Sequence, residues 1–367
     1  MRNVCTLLMV SLLASAASAD DRIVWKASTG KSGVHHRPAA IARLSDGTLA
    51  AAGVVDSDTD HQTAAVWLLD ANGRLIRQLP LLAGRDGVTV QDIRAAGATI
   101  FALVTSSEGA VLEQIDREGV EIVRADVGGS GERPEVLVPL ASGGFLLTGR
   151  AEGDALIIAV DAKGSVQWKK RYDLGQHEAF AGGFEISGGV VLAGESRDAK
   201  KPLAGTAWIA LIDPKSGEIV RERRWPGRDL RIAPLGEDAL VAVVDRGFEF
   251  RQDVAVIRMS REFQTVWTTP IAREEPYRGA FHVAVPPGGP IHVAGSADIF
   301  ARLWRIEPER GRVISSWSEQ PTESRPWHLS ADGLLLAPEG SYVLTTISGR
   351  RADGMRAWQI GVLRVTE

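Results

Sequence analysis

Four arginines stand in matching contexts: Arg37-Pro38, Arg133-Pro134, Arg325-Pro326, and Arg278 just after Glu275-Pro276. A guanidinium presents a planar fork of donors that fits carboxylate and phosphate groups, and a neighbouring proline fixes where the side chain leaves the backbone. Brought together, the four would make an anion site. The competing reading is local ion pairing with Glu132, Glu275 and Glu323, which lie one to three residues away.

The histidines form a second candidate set. His36 (with His35 beside it), His177 and His328 fall at corresponding places in the chain, and Glu178 follows His177 directly. Three imidazoles converging with a carboxylate could hold a divalent metal. No H-E-x-x-H or comparable spacing ties them together, so hydrogen-bonded loop histidines are the simpler reading. A third candidate is "DSDTDHQ", with alternating carboxylates at Asp56, Asp58 and Asp60. His61 stands where a calcium loop needs Gly and Trp67 where it needs Glu, which leaves a solvated acidic loop. There is no G-x-S-x-G and no phosphate loop, and the S-x-x-K at Ser28 to Lys31 follows a strand instead of opening a helix.

These residues need a scaffold, and an internal repeat supplies it. An apolar strand, an acidic-to-glycine turn and a second strand recur in "AVWLLDANGRLIRQL", "AVLEQIDREGVEIVRA", "LIIAVDAKGSVQWKKR", "WIALIDPKSGEIVRER", "VAVIRMSREFQTVWTT" and "RLWRIEPERGRVISSW". The turns begin at Asp70, Asp116, Asp161, Asp213, Ser260 and Glu307, separated by 46, 45, 52, 47 and 47 residues. A near-constant period of that size made of short strands is that of a propeller blade. Two further strands precede each hairpin, as in "AIARLSDGTLAAAG" and "EVLVPLASGGFLLTG", so each unit holds four strands, a to d.

The seventh unit supplies strands a to c in "GLLLAPEGSYVLTTIS" and "AWQIGVLRV", and its missing strand d is found at the other end of the sequence as "RIVWKAST". Trp25 there matches Trp168 of "SVQWKK" and Trp267 of "QTVWTT". The sequence therefore predicts an all-β fold: a seven-bladed β-propeller over residues 20–367, closed by the N-terminal strand pairing with the C-terminal blade. Trp67, Trp208, Trp304 and Trp358 recur on strand c, where they are expected to pack between blades. The blades resemble those of bacterial exported β-propellers, including the broad pyrroloquinoline-quinone-like repeat group, in the Asp, Gly and Trp around the c-to-d hairpin; "LIDPKSGEIVRERRW" is the nearest match. The resemblance implies a fold that serves as scaffold, binding protein, lyase, lactonase or quinoprotein dehydrogenase. The chain departs from the quinoprotein enzymes in its seven blades, in lacking Thr before most turn glycines, and in having no adjacent cysteine pair, so the cofactor is unknown.

The opening "MRNVCTLLMVSLLASAASAD" has a basic residue, a short apolar run and small residues ending at Ala19, the pattern of a signal peptide over 1–19. A periplasmic or secreted protein is expected, with no membrane span, because no apolar run approaches the roughly 18 to 20 residues required. The one cysteine, Cys5, lies within that peptide, which excludes disulfides and thiolate chemistry from the remainder. A formal net charge of −4 argues against a nucleic-acid partner.

Successive strands alternate in direction, so the d-to-a and b-to-c loops share one face. The opposite turns ("SDGT", "ASGG", "DANG") are tight, whereas from the last Gly of strand b to the acidic turn takes 12 residues in blades 3 and 6, 17 in blade 1 and 19 in blade 4. Function is expected on the loop face. The expected role is non-catalytic: a binding or scaffold protein for a small anionic ligand or a protein partner. The alternative is a metal-assisted lyase or lactonase with its site at the mouth of the axial channel.

Overall fold

The aspartate-to-glycine turns fold as they do because their first side chain replaces missing backbone partners. Asp70 Oδ1 accepts from the amides of Asn72 and Arg74, both at 2.8 Å; Asp116 and Asp161 repeat the pattern at 2.8–2.9 Å. Gly73, Gly119, Gly164 and Gly217 take φ values of 75, 84, 80 and 70°, a region closed to most side chains. Where the fifth unit lacks both Asp and Gly, the Ser260 hydroxyl accepts from the Glu262 amide at 3.2 Å, and Phe263 itself adopts φ 62° while burying its ring.

The computed structural model describes residues 23–29, 35–55, 61–83, 85, 87–175, 177–197, 205–246, 251–276, 281–297, 300–318, 329–338, 340–350 and 356–366. They form seven four-stranded antiparallel sheets, each in a-b-c-d order. Blade 3 is typical: Glu132–Pro139, Phe145–Ala151, Asp154–Val160 and Val166–Tyr172. The last sheet consists of Leu329–Ala337, Gly340–Arg350 and Arg356–Val365, with the N-terminal Ile23–Thr29 as its outer strand. Trp25 pairs with Arg364 just as Trp168 pairs with Ala159 and Trp267 with Arg258, one step before the last pair of strands c and d in each case.

The blades are joined by a repeated contact. The indoles of Trp168 and Trp267 donate to the carbonyls of Pro214 and Pro308 in the c-to-d turn of the next blade, at 3.2 and 3.0 Å. Arg221 holds the same register position in blade 4 and donates to the Arg261 carbonyl at 3.1 Å. A Cβ on Gly217 would lie 2.9 Å from the Trp168 ring, so this turn glycine is required for the close approach as well as for its φ. Apolar faces fill the space between sheets. Trp67 and Trp208 are fully buried and Trp304 nearly so; Trp208 stacks on Phe180 at 4.4 Å. The Trp358 side chain lies outside the described residues. Among the described residues no helix is long and apolar enough to cross a membrane.

Candidate functional site

The inner strand of every blade faces the axis, and its first residues shape the loop face. In six blades this strand carries a β-bulge near its start, at Pro38/Ala40, Val90/Asp92, Pro134/Val136, Phe180/Gly182, Arg228/Arg231 and Ala331/Gly333. A bulge re-aims the side chains beside it. Aligned by their strand-b partners, Ala40, Asp92, Val136, Gly182, Arg231, His282 and Gly333 occupy one level around the channel.

Two cavities open among these strands. The axial one, about 420 Å³, is lined from all seven blades and takes its polar groups from Gln91, Asp92, Arg94, Glu135, Arg231 and His282. Asp92 and Arg94 form an ion pair at 2.9 Å and together grip the free backbone edge of blade 3: the Leu137 amide donates to Asp92 at 2.9 Å and Arg94 Nε donates to the Leu137 carbonyl at 3.0 Å. Burial raises the Asp92 pKa in spite of Arg94 and the two amides it accepts from. Glu135 is raised for the same reason, against the pull of Arg150 and Arg231. Burial, reinforced by the Arg231 charge, lowers His282 to about 3, so its imidazole is neutral at physiological pH.

The second cavity, about 410 Å³, lies between blades 3 and 4 and is lined by Arg133, Arg150, Glu152, His177, Glu178, Glu195 and Arg197, with Gly131, Gly153 and Ala179. Blade 3 makes its b-to-c connection with only Glu152 and Gly153, at φ 54 and 107°. The Gly153 carbonyl accepts from the Glu178 amide at 2.7 Å, and a Cβ on Gly153 would sit 3.0 Å from His177 Nδ1. Arg150 lines this cavity while its Nε lies 3.1 Å from Glu135, which lines the axial one, so this ion pair is the partition between the two.

The arginine expectation divides. Arg133 and His177, exposed residues of different blades, share the blade 3–4 cavity. Glu132 does not pair with Arg133; it binds Lys169 at 2.7 Å and Arg171 at 3.8 Å. Burial pushes the Glu132 pKa up, but the Lys169 hydrogen bond, the Gly129 amide and the cationic neighbours leave it lowered. Arg133 itself has no hydrogen bond and no ion pair among the described residues. Arg37 is exposed and lines neither cavity. His36 is buried, edge-on to Trp67 at 5.8 Å between ring centroids. Arg278, Arg325, His328 and the carboxylates Asp56, Asp58 and Asp60 lie outside the described residues. Among the described residues, three potential metal ligands come together only at Asp154, Asp173 and Glu178, with ligand atoms within 4.8 Å of one another; no histidine joins them.

The sequence reading passed over Arg231, His282, Glu135 and Arg94. A signal was present: once the blades are stacked by strand pairing, Asp92, Arg231 and His282 are ionisable residues at a level otherwise held by Ala, Val and Gly.

No protein-family model matches the chain, and no curated protein matches it. Solved structures do. The Dos1 propeller superimposes with a TM-score of 0.59 at 10% identity, covering 90% of this chain and 94% of that one. The WD40 β-propeller domain of Doa1 gives 0.56 at 10% identity, covering 94% and 97%. Sqt1 of Chaetomium thermophilum, solved bound to the N-terminus of a ribosomal protein, gives 0.54 at 13% identity, covering 92% and 98%. At these identities the likeness is one of fold: a β-propeller.

Proposed function

We propose that this propeller is an exported, non-catalytic binding protein that takes an anionic group, carried by a partner protein or by a small ligand, into the blade 3–4 cavity on its loop face. The observation that carries the reading is Arg133: an arginine without an ion pair, beside His177, in a cavity large enough for several side chains. A free guanidinium on a rigid strand is preorganised for a carboxylate or phosphate. The other arginines of the cavity are already engaged, Arg150 by Glu135 at 3.1 Å and Arg197 by Glu195 at 2.7 Å, so Arg133 is the one that remains for a ligand. That Sqt1 is a propeller solved with a protein terminus bound supports a protein partner. The blade resemblance to exported propellers and the 1–19 leader pattern support a periplasmic or secreted setting.

The test uses a fluorescently labelled hexaglutamate peptide and citrate as probes. Wild-type protein binds at least one of them, Arg133→Ala weakens that binding tenfold or more, the order expected for a charge-assisted hydrogen bond, and salt weakens it further. Equal binding by Arg133→Ala, or none by the parent, rules the site out. Cell fractionation with N-terminal sequencing of the recovered protein tests the compartment, with Asp20 expected as the first residue.

A further inference from the structure

We infer that the axial cavity is a second, separate site, built for a small organic carboxylate with a short apolar tail, and that Arg231 and His282 are its anchors. This does not rest on the loop-face reading, because neither residue lines the blade 3–4 cavity.

Charge accounting inside the lumen comes first. Asp92 is held by Arg94 at 2.9 Å and Glu135 by Arg150 at 3.1 Å. Arg231 has no such partner: its one hydrogen bond among the described residues runs from Nη1 to the neighbouring Leu230 carbonyl at 3.0 Å, and no carboxylate lies within ion-pair distance. An arginine facing a lumen walled by protein, with Glu135 acting on it only at longer range and already held by Arg150, is stabilised by a counter-anion, and its fork geometry selects a carboxylate.

Next to it stands His282, in the adjacent blade and at the same level. Its Nε2 is sealed from solvent and has no hydrogen-bond partner, a state that buried polar atoms rarely keep. Burial and Arg231 hold the ring neutral, so it keeps one N–H to donate and adds no second positive charge.

The surroundings define the rest of the ligand. At this level the blades on either side of the pair carry glycine, Gly182 in blade 4 and Gly333 in blade 7; beside Gly333 the Leu344 and Ile41 side chains close in to 3.2–3.5 Å from a would-be Cβ, so the free space lies on the Gly182 side. A Cβ on Gly182 would meet nothing within 4 Å, which places open lumen there. Ile41 and Leu334 supply the apolar wall. A cavity of about 420 Å³ falls in the range of small-ligand sites, and its lining sets the polar groups of blades 2, 3, 5 and 6 beside apolar side chains that include Val136, Ile232 and Val283.

The experiment titrates acetate, butyrate and hexanoate into the full protein, read by calorimetry and by NMR of ¹³C-labelled histidine, with the His282 resonance assigned through His282→Gln. Affinity is expected to rise from acetate to hexanoate, the His282 resonance to move on binding, Arg231→Gln to weaken hexanoate tenfold or more, and Arg133→Ala to leave it unchanged. The inference is overturned if no carboxylate binds, if binding leaves the His282 resonance in place, or if Arg133→Ala removes binding while Arg231→Gln keeps it. Should Arg231→Gln fail to fold, the wild-type NMR titration decides alone. Loss of peptide binding in Arg133→Ala with hexanoate binding intact shows that the two sites stand or fall independently.

Discussion

Acid should destabilise this propeller through one residue, His282. Its folded pKa is lowered to about 3 by burial, with the Arg231 charge adding to the effect, whereas the unfolded chain titrates near 6.5. Between those values the unfolded state binds the extra proton, so stability rises with pH; what is present in full at neutrality is lost progressively as pH falls below 6.5. Each pH unit in that window is worth about 1.4 kcal/mol, which gives roughly 2 kcal/mol lost between pH 7 and pH 5 from this side chain. Asp92 and Glu135, both raised by burial, titrate in the opposite sense, so the raw curve mixes contributions. The variant His282→Gln isolates the term, since glutamine does not titrate and the other groups are common to both proteins. Urea unfolding at pH 7, 6 and 5 should show the wild type losing about 2 kcal/mol more than His282→Gln over that range. Parallel curves for the two proteins would refute the burial of a neutral imidazole and weaken the lumen site with it.

Three further outcomes follow from the packing. Trp168→Ala removes the indole bond to the Pro214 carbonyl and the ring lying on Gly217, and should cost about 2 to 3 kcal/mol in urea unfolding, below the figure for a fully buried tryptophan because Trp168 is partly exposed. Asp92→Ala strands both Arg94 and the Leu137 amide, for about 3 kcal/mol, the low end for breaking a buried pair since Arg94 keeps some contact with water. Deleting residues 22–29 strips the outer strand from the last blade and should lower the melting temperature and promote self-association through the exposed edge; a truncated protein that melts like the parent would contradict the pairing.

The fold was legible because its signals are local and repeated. Asp70, Asp116 and Asp161 each begin a turn whose glycine comes three residues later, and the near-constant spacing of such turns counts the blades without any knowledge of long-range contacts. The displaced outer strand was legible for the same reason: Trp25 has counterparts in Trp168 and Trp267. The site was less so. His36 and Arg37 belong to two candidate sets that both depend on reaching the channel mouth, yet strand alternation sends them to opposite sides, His36 onto Trp67 and Arg37 to solvent. Arg231 and His282 carry no motif at all. Their meeting depends on where a bulge sits in one strand and on how blade 5 is registered against blade 6, and neither is written in any short stretch of residues.

The pairing of Thr29 with Ile360 has a kinetic meaning. Every other strand pair among the described residues joins near neighbours in sequence, whereas this one closes a loop spanning almost the whole chain. Loop-closure entropy grows by roughly 0.6 kcal/mol for each doubling of length, so about six doublings beyond an ordinary hairpin add on the order of 4 kcal/mol if the two ends must find each other in an unfolded chain. Assembled blades remove that penalty by carrying the ends together around the ring. Docking of the N-terminal strand is therefore the last event in folding, and the seam between the first and last blades, where Trp67 meets Tyr342 and Ile360, is the last surface to dry. Until the final strand has emerged and the ring has formed, the protein is an open arc with the apolar flanks of its first and last blades uncovered, and the length of that interval sets its exposure to chaperones, proteases and its own copies.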